Sequence, residues 1–175
     1  YIRSYGEKLV IHHDPFIKGE SFEAWIADYQ HGTLILNVKE EGLEARLIDI
    51  MKSKGIDDYF FLDQSFPFLI KWSKLGERRC AVRVSEFESI ETAMFLAGKV
   101  DWVWVDCFTH FPLSREDARR LKDAGLRLCL VSPELQGRNA ESEIHALAAL
   151  LTDRGIQADA VCTKRPDLWE QVCLV

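Results

Sequence analysis

The stretch VIHHDP, at residues 10–15, joins a short apolar run to three ionisable side chains. The apolar run predicts a buried strand, and Pro15 cannot extend a strand ladder, so His12, His13 and Asp14 are expected where that strand ends. A histidine can transfer protons near neutral pH, and a neighbouring carboxylate can orient its ring or help to bind a metal. The stretch therefore predicts either a catalytic group at a strand exit or a pair of structural histidines.

Six further apolar runs follow, and amphipathic helical segments separate them. Short strands that are apolar on both faces and alternate with helices indicate a parallel sheet covered by helices. An open doubly wound sheet and a closed barrel both fit, but no glycine-rich phosphate loop follows any strand. We therefore expect an α/β fold of the TIM-type (β/α)8 barrel class, in a single domain over residues 1–175. The predicted strands are residues 8–12, 33–38, 59–62, 80–84, 102–105, 126–131 and 160–162, and a turn is predicted over residues 3–7.

The composition excludes several classes of protein. With 175 residues, of which 47% are hydrophobic, the chain can bury one core. A formal net charge of -6 argues against a nucleic-acid partner. No apolar run approaches the roughly 18 residues of a membrane span, and the oligomeric state stays open. The five cysteines form no CxxC pair, and four of them lie in or beside apolar runs, which predicts free thiols in a cytoplasmic protein.

Polar side chains follow the other predicted strands as well. In a parallel barrel the carboxyl ends of all strands lie on one face, and catalytic residues collect there. Cations on that face would hold a phosphate, carboxylates would hold a divalent metal, and histidines would move protons. A solvated rim with scattered ion pairs is the alternative. The residues concerned are His12, His13, Asp14, Asn37, Lys39, Asp63, Arg83 and Asp106.

Four segments, taken in order along the chain, resemble the glycerophosphodiester phosphodiesterase family, a branch of the phosphatidylinositol-phospholipase-C-like barrels. LVIHHDP at residues 9–15 resembles the family's apolar strand closed by His-Asp. LILNVK at residues 34–39 resembles its next barrel strand, which usually ends in Glu-x-Lys. DQSF at residues 63–66 fits the Ser-Phe after the fourth strand. ADAVCTKRPD at residues 158–167 resembles the final strand, usually Ala-Asp-Gly, two apolar residues and Thr-Asp-x-Pro.

The resemblance implies a role for each matching residue. His13 matches a catalytic general acid/base, and Lys39 matches a lysine that contacts the substrate phosphate. Asn37 stands where the family usually has a metal-binding glutamate, and an amide oxygen binds a divalent cation more weakly than a carboxylate. Asn37 and Asp14 are therefore weak candidate ligands for Mg²⁺ or Ca²⁺. The remaining candidates are predicted to contact the substrate: His12, Asp63, Arg83 and Asp106.

Two motifs of the family, His-Arg-Gly and Glu-x-Asp, are absent from the sequence. In the family they supply the partner histidine and two metal carboxylates, and the resemblance places them before Tyr1. The chain is therefore interpreted as a barrel that lacks its first β/α unit and most of its second strand, and that is inactive alone. The short loop after Asp14 leaves no room for the subdomain that many members insert there, which indicates a compact branch.

Three functions are compatible with these residues. The first is a metal-assisted hydrolase of lipid metabolism that cleaves a small glycerophosphodiester-like or sugar-phosphodiester substrate. The second is a non-catalytic barrel that binds phosphate or another ligand after losing the metal site, which Asn37 favours. The third is an unrelated barrel enzyme that uses Lys39 as a Schiff-base amine or Asp106 as a base.

Overall fold

The structure, a computed structural model, describes residues 1–172. Strands alternate with helices and include parallel pairs, so the predicted mixed α/β fold with a parallel sheet is confirmed. The chain forms two compact units, Tyr1–Ala81 and a second that begins at Val82. Three strands, Tyr59–Leu62, Trp102–Val105 and Ala160–Cys162, have the predicted bounds. All residues of the first two are buried, and such uniformly apolar runs are the clearest signal of a strand covered on both faces.

The first unit opens with a three-stranded antiparallel sheet in the order β1, β2, β3. Its strands are β1 (Ile2–Tyr5), β2 (Lys8–Ile11) and β3 (Glu20–Ser21). Gly6 and Glu7 form a two-residue turn between the first two strands, and Gly6 has a φ of 61°. Glycine adopts this left-handed conformation without steric cost, which makes the tight hairpin possible.

The prediction of a turn over residues 3–7 was correct for Gly6 and Glu7 and wrong for residues 3–5, which belong to β1. The strand predicted over residues 8–12 forms as β2, but it is not a parallel strand. β2 runs antiparallel to β1, and it is the beginning of β1 that makes a parallel bridge, between Ile2 and Val38. A two-residue turn returns the chain antiparallel, whereas adjacent parallel strands need a crossover of about a dozen residues or more. The apolar pattern alone does not distinguish the two directions.

A parallel pair forms the rest of the sheet structure in the first unit. β4 (Leu34–Asn37) and β5 (Tyr59–Leu62) pair with Leu34 opposite Tyr59 and Asn37 opposite Leu62. The helices are α1 (Phe22–Trp25) with a following 3-10 turn (Ile26–Asp28), α2 (Glu44–Lys54) and α3 (Phe66–Lys74). Side chains from both strands and from α2 form the core, among them Leu36, Leu47, Met51, Phe60 and Phe61, all of which are fully buried.

The second unit contains a sheet in the order β6, β7, β8, β9, in which β7, β8 and β9 pair in parallel. The strands are β6 (Ala81–Val84), which starts at the boundary between the units, β7 (Trp102–Val105), β8 (Arg127–Val131) and β9 (Ala160–Cys162). Ser114 begins the second helix with a capping box that includes Asp117. The helices are α4 (Ile90–Phe95), α5 (Arg115–Asp123), α6 (Ala140–Arg154) and α7 (Pro166–Gln171), with a 3-10 helix at Pro133–Gln136.

Among residues 1–172, no helix is both long enough and apolar enough to cross a bilayer. Cys80, Cys107, Cys129 and Cys162 are free thiols, and the fifth cysteine, Cys173, lies outside the described residues. Burial raises the pKa of Cys107 to about 12 and that of Cys162 to about 11. These two thiols are therefore protonated and weakly nucleophilic at neutral pH.

Candidate functional site

The first candidate site lies where β4 and β5 end. Lys39 follows β4, Asp63 follows β5, and Lys39 Nζ donates a hydrogen bond to Asp63 Oδ2 at 2.5 Å. The two side chains are only 21% and 15% exposed. Asp63 has a φ of 61°, a left-handed conformation that aspartate tolerates better than most residues and that ends the strand. The structure thus brings two of the predicted site residues into contact.

His13, which follows β2, is linked to the Lys39–Asp63 pair by the ring of Tyr1. The Tyr1 and His13 rings meet edge to face with their centroids 4.8 Å apart. Lys39 Nζ lies 4.9 Å from the centroid of the same Tyr1 ring, within the range of a cation–π interaction. We call the resulting group the His13–Lys39 cluster; its members are Tyr1, His13, Asp14, Lys39 and Asp63.

Within the cluster, His13 is paired with its neighbour in sequence. His13 Nδ1 and Asp14 Oδ1 are 2.9 Å apart, and both side chains are well exposed. The hydrogen bond from His13 is the main reason that the pKa of Asp14 lies below its ordinary value, so Asp14 is ionised at neutral pH. An ionised carboxylate at Nδ1 favours the proton on that nitrogen, which leaves Nε2 as the nitrogen that can exchange a proton.

His12 organises the loop that follows β2. Its Nδ1 accepts a hydrogen bond from the Asp14 N–H at 3.0 Å, in the manner of an Asx-turn. At the other end of the loop a Cβ on Gly19 would lie 2.9 Å from the carbonyl carbon of Ile11, so only glycine fits there. Between them Phe16 is 93% exposed with a φ of 62°. The His12 ring thus contacts the backbone of its own loop, and its predicted contact with the substrate stays a prediction.

Buried polar side chains lie at the ends of the same two strands. Asn37 Oδ1 and Gln64 Oε1 are both buried without a hydrogen-bond partner. Gln64 Nε2 donates to Glu44 Oε1 at 3.0 Å, the Gly42 N–H donates to Glu44 Oε2 at 3.1 Å, and Glu44 is fully buried. A buried acceptor without a donor costs about 1–3 kcal/mol. The two orphaned oxygens therefore mark places where a further donor or a cation would be stabilising.

The described residues do not form a site for a divalent cation by themselves. Asn37 Oδ1 is an oxygen of the kind that Mg²⁺ and Ca²⁺ bind, but Asp14 is exposed and paired with His13. Residues 1–172 contain no group of three or more His, Cys, Asp or Glu side chains that could hold a metal ion. The predicted metal therefore stays a prediction.

In the second unit, Arg83 and Asp106 lie close together. Arg83 Nε is 3.9 Å from Asp106 Oδ2 and 4.0 Å from Glu88 Oε1. Asp106 is 5% exposed, and its Oδ1 accepts hydrogen bonds from Gln136 Nε2 at 2.6 Å and from the Cys107 N–H at 3.1 Å. Asp106 is thus held by neutral donors as well as by a cation, which keeps a buried carboxylate satisfied. The two predicted substrate contacts share one small region of the second unit.

One carboxylate and one guanidinium hold the loop after β7. Arg138 Nη1 donates to the Thr109 carbonyl at 3.2 Å, and its Nη2 donates to the Cys107 carbonyl at 2.9 Å. The carboxylate of Glu86 accepts hydrogen bonds from the loop's N–H groups at 3.2, 2.6 and 2.7 Å, from Phe108, Thr109 and His110 respectively. Opposite charges therefore satisfy the N–H and the C=O groups of a loop that has no regular secondary structure.

We expect Glu86→Gln to lower the free energy of unfolding at pH 7 by about 1–3 kcal/mol, because an amide oxygen accepts these hydrogen bonds more weakly than a carboxylate. Burial alone would raise the pKa of Glu86, but the N–H groups of His110 and Thr109 outweigh it and lower the pKa to about 2. Because the pKa of Glu86 is lowered in the folded protein, its ionised carboxylate contributes fully to stability above pH 4.5, its ordinary pKa. This contribution to stability is lost as the pH falls through about 2. Denaturant titrations across this range measure it.

The control for this variant is Glu116→Gln, on the exposed face of α5. Glu116 bonds to Arg119, and both side chains are mostly exposed, so the loss should stay within the small range of a surface ion pair. A loss at Glu86 no larger than the loss at Glu116 would contradict the role of Glu86 in the loop. So would a stability difference between wild type and Glu86→Gln that persists unchanged at pH 2.

Sequence reasoning missed the side chains that support both regions. Their hydrogen-bond partners are distant in sequence or are backbone atoms, and neither periodicity nor spacing reveals such pairs. Glu86 belongs with the polar side chains that follow strands, so its place after β6 was predicted and only its backbone partners were not. The missed residues are Arg3, Gln64, Gln136 and Arg138.

Comparisons with known proteins give no match. No protein-family model matches the chain, and no curated protein matches its sequence. The likeness to glycerophosphodiester phosphodiesterases therefore depends on the four sequence segments, two of which supply His13 and Lys39.

Proposed function

We propose that the chain carries part of the active site of a phosphoric diester hydrolase that cleaves a small glycerophosphodiester-like or sugar-phosphodiester substrate. The observation that supports it is the His13–Lys39 cluster, in which three separate segments contribute an imidazole with its carboxylate, a lysine and a second carboxylate. Hydrolysis of a diester requires proton transfer to the leaving alcohol and stabilisation of negative charge on phosphate. The cluster contains one group suited to each requirement.

In the proposed reaction His13 and Lys39 have different tasks. His13 transfers a proton through Nε2 to or from the reacting oxygen, while Asp14 holds Nδ1 and stabilises the imidazolium. Lys39 donates to a phosphate oxygen, and its contact with Asp63 shows that an anionic oxygen can occupy this position. The predicted substrate contact of Arg83, which lies in the second unit, stays a prediction.

The proposed scaffold is a TIM-type barrel. Its support is the position of the predicted residues, which follow or end strands of parallel pairs: Lys39 follows β4, Asp63 follows β5 and Asp106 follows β7. The four free thiols support a location in a reducing compartment such as the cytoplasm.

A barrel that binds phosphodiesters or phosphate without cleaving them is the second candidate, and Asn37 favours it. The neutral Oδ1 of Asn37 replaces the carboxylate that a metal site of this type would use, and it is buried without a partner. A Schiff-base enzyme is less well supported, because a nucleophilic lysine is activated by an apolar pocket or a neighbouring cation. Lys39 instead contacts a carboxylate.

We expect the protein expressed from the full open reading frame to release p-nitrophenol from bis(p-nitrophenyl) phosphate and to cleave a glycerophosphodiester. The assay is run with Mg²⁺, with Ca²⁺ and with a chelator, which also tests the predicted metal. His13→Asn is the matched variant, since it keeps a polar side chain but cannot serve as an acid at neutral pH. Binding of the diester without turnover would favour the second candidate, and neither binding nor turnover would contradict both.

A further inference from the structure

Arg3, on β1, contacts the two segments that carry the proposed catalytic groups. Its Nε donates to the carbonyl oxygen of His13 at 2.8 Å. Its Nη1 donates to the carbonyl oxygen of Lys39 at 3.0 Å. One planar guanidinium thus bonds the backbone of the histidine and the backbone of the lysine at the same time.

The sheet explains why this position can reach both segments. The beginning of β1 lies between the ends of two other strands: Ile2 is paired antiparallel with Ile11 and bridges Val38 in parallel. Backbone hydrogen bonds on both sides complete the arrangement, from the His12 N–H to the Tyr1 carbonyl and from the Lys39 N–H to the Ile2 carbonyl, both at 3.1 Å. Arg3 is the next residue along β1, at the point where both neighbouring strands give way to loops.

We infer that Arg3 is a positioning residue that fixes the separation of His13 and Lys39 in the proposed active site. Charge-assisted hydrogen bonds from one rigid fork hold the two backbone segments in a single geometry, which the flexible ammonium of a lysine cannot reproduce. Arg3 has no role in proton transfer. Its effect on the reaction passes through the positions of His13 and Lys39, and a misplacement of about 1 Å can cost about 10²-fold in rate.

This inference rests on the proposed function for its kinetic consequence, but the clamp itself has a separate readout. The two segments held by Arg3 are loops after β2 and β4, and their amides should exchange hydrogen faster when the guanidinium is removed. Hydrogen exchange of residues 12–14 and 38–40 therefore reports on the clamp whether or not the protein cleaves a diester.

Arg46 provides a matched control in the same unit. Its Nη1 donates to the Glu7 carbonyl and its Nη2 pairs with Glu23, so it also ties separate elements together through a backbone carbonyl. None of its partners belongs to the His13–Lys39 cluster. Arg46→Met should therefore lower stability without a selective loss of kcat.

The test compares Arg3→Met, Arg3→Lys and Arg46→Met in the full protein. We expect Arg3→Met to lower kcat about 10²-fold with a smaller change in KM, because binding is weakened less than alignment. Millimolar guanidinium should recover part of the kcat of Arg3→Met but not raise that of wild type. Arg3→Lys keeps the positive charge and should reverse less than half of the increase in activation free energy that Arg3→Met causes. It shows whether a variant that is folded still has the loss of kcat.

Exchange in residues 12–14 and 38–40 should accelerate in Arg3→Met and not in Arg46→Met. If both variants leave exchange in these residues at the wild-type rate, Arg3 is not a clamp and the inference is overturned. Equal kcat losses in Arg3→Met and Arg46→Met would also overturn it, as an effect of stability alone. A wild-type protein without phosphodiesterase activity would contradict the proposed function. Hydrogen exchange would then still test whether Arg3 holds the two backbone segments.

Discussion

His13→Asn should lower kcat for phosphodiester cleavage by about 10²- to 10⁴-fold, the usual cost of removing a general acid/base. His12→Asn should leave kcat close to that of wild type, although the two residues are adjacent. His13 belongs to the cluster with Lys39 and bonds to Asp14, whereas the His12 ring accepts a backbone N–H of its own loop. An asparagine at position 12 can keep this acceptor, since Asn forms the same kind of turn.

The measurement is steady-state kinetics of both variants over a range of pH. In wild type, kcat/KM should depend on pH in a way that is lost in His13→Asn and retained in His12→Asn. Both variants should unfold at similar denaturant concentrations, because both histidines are partly exposed. Equal kinetic losses at the two positions, or none at either, would remove the histidine from the mechanism and favour the binding barrel.

Lys39→Met should lower kcat/KM by about 10²- to 10³-fold, the range seen when one group that stabilises developing charge is removed. Methionine keeps an unbranched apolar side chain of nearly the same length and has no ammonium. The same substitution leaves Asp63 without its lysine, and the Asp63 side chain is only 15% exposed. We therefore expect a simultaneous loss of about 1–3 kcal/mol in the free energy of unfolding.

A double variant separates the two effects of Lys39→Met. Adding Asp63→Asn removes the carboxylate that has lost its lysine, so Lys39→Met/Asp63→Asn should recover most of the stability. It should not recover kcat/KM, because the cation that holds the phosphate is still absent. If the double variant regains activity together with stability, Lys39 acts only as the partner of Asp63 and does not contact substrate.

The sequence was sufficient to predict the elements whose burial is uniform. β5 and β7 have the predicted bounds because each is a fully apolar run between turns. The direction of β2 could not be predicted in the same way. Its apolar pattern suits either strand direction, and the turn at Gly6 decides between them.

For the candidate site, the sequence predicted which residues follow strands but not what holds them. Lys39 and Asp63 were predicted to share a site because each follows a buried strand, and they are in contact. The left-handed backbone of Asp63, the orphaned Asn37 Oδ1 and the two carbonyls that Arg3 binds were not predicted. These features depend on distances between segments far apart in the chain, and a pattern along one chain does not contain those distances.

The glycine that closes the loop after β2 has a consequence for how this protein could be altered by evolution or by design. Gly19 packs closely against Ile11 at the base of the loop, and Phe16, between the two ends, is almost fully exposed. Lengthening a surface loop costs little, about 0.6 kcal/mol for each doubling. The tip can therefore accept an insertion, even a small folded module, while the base keeps His13 in register with Lys39. New substrate preferences could arise there without rebuilding the catalytic groups.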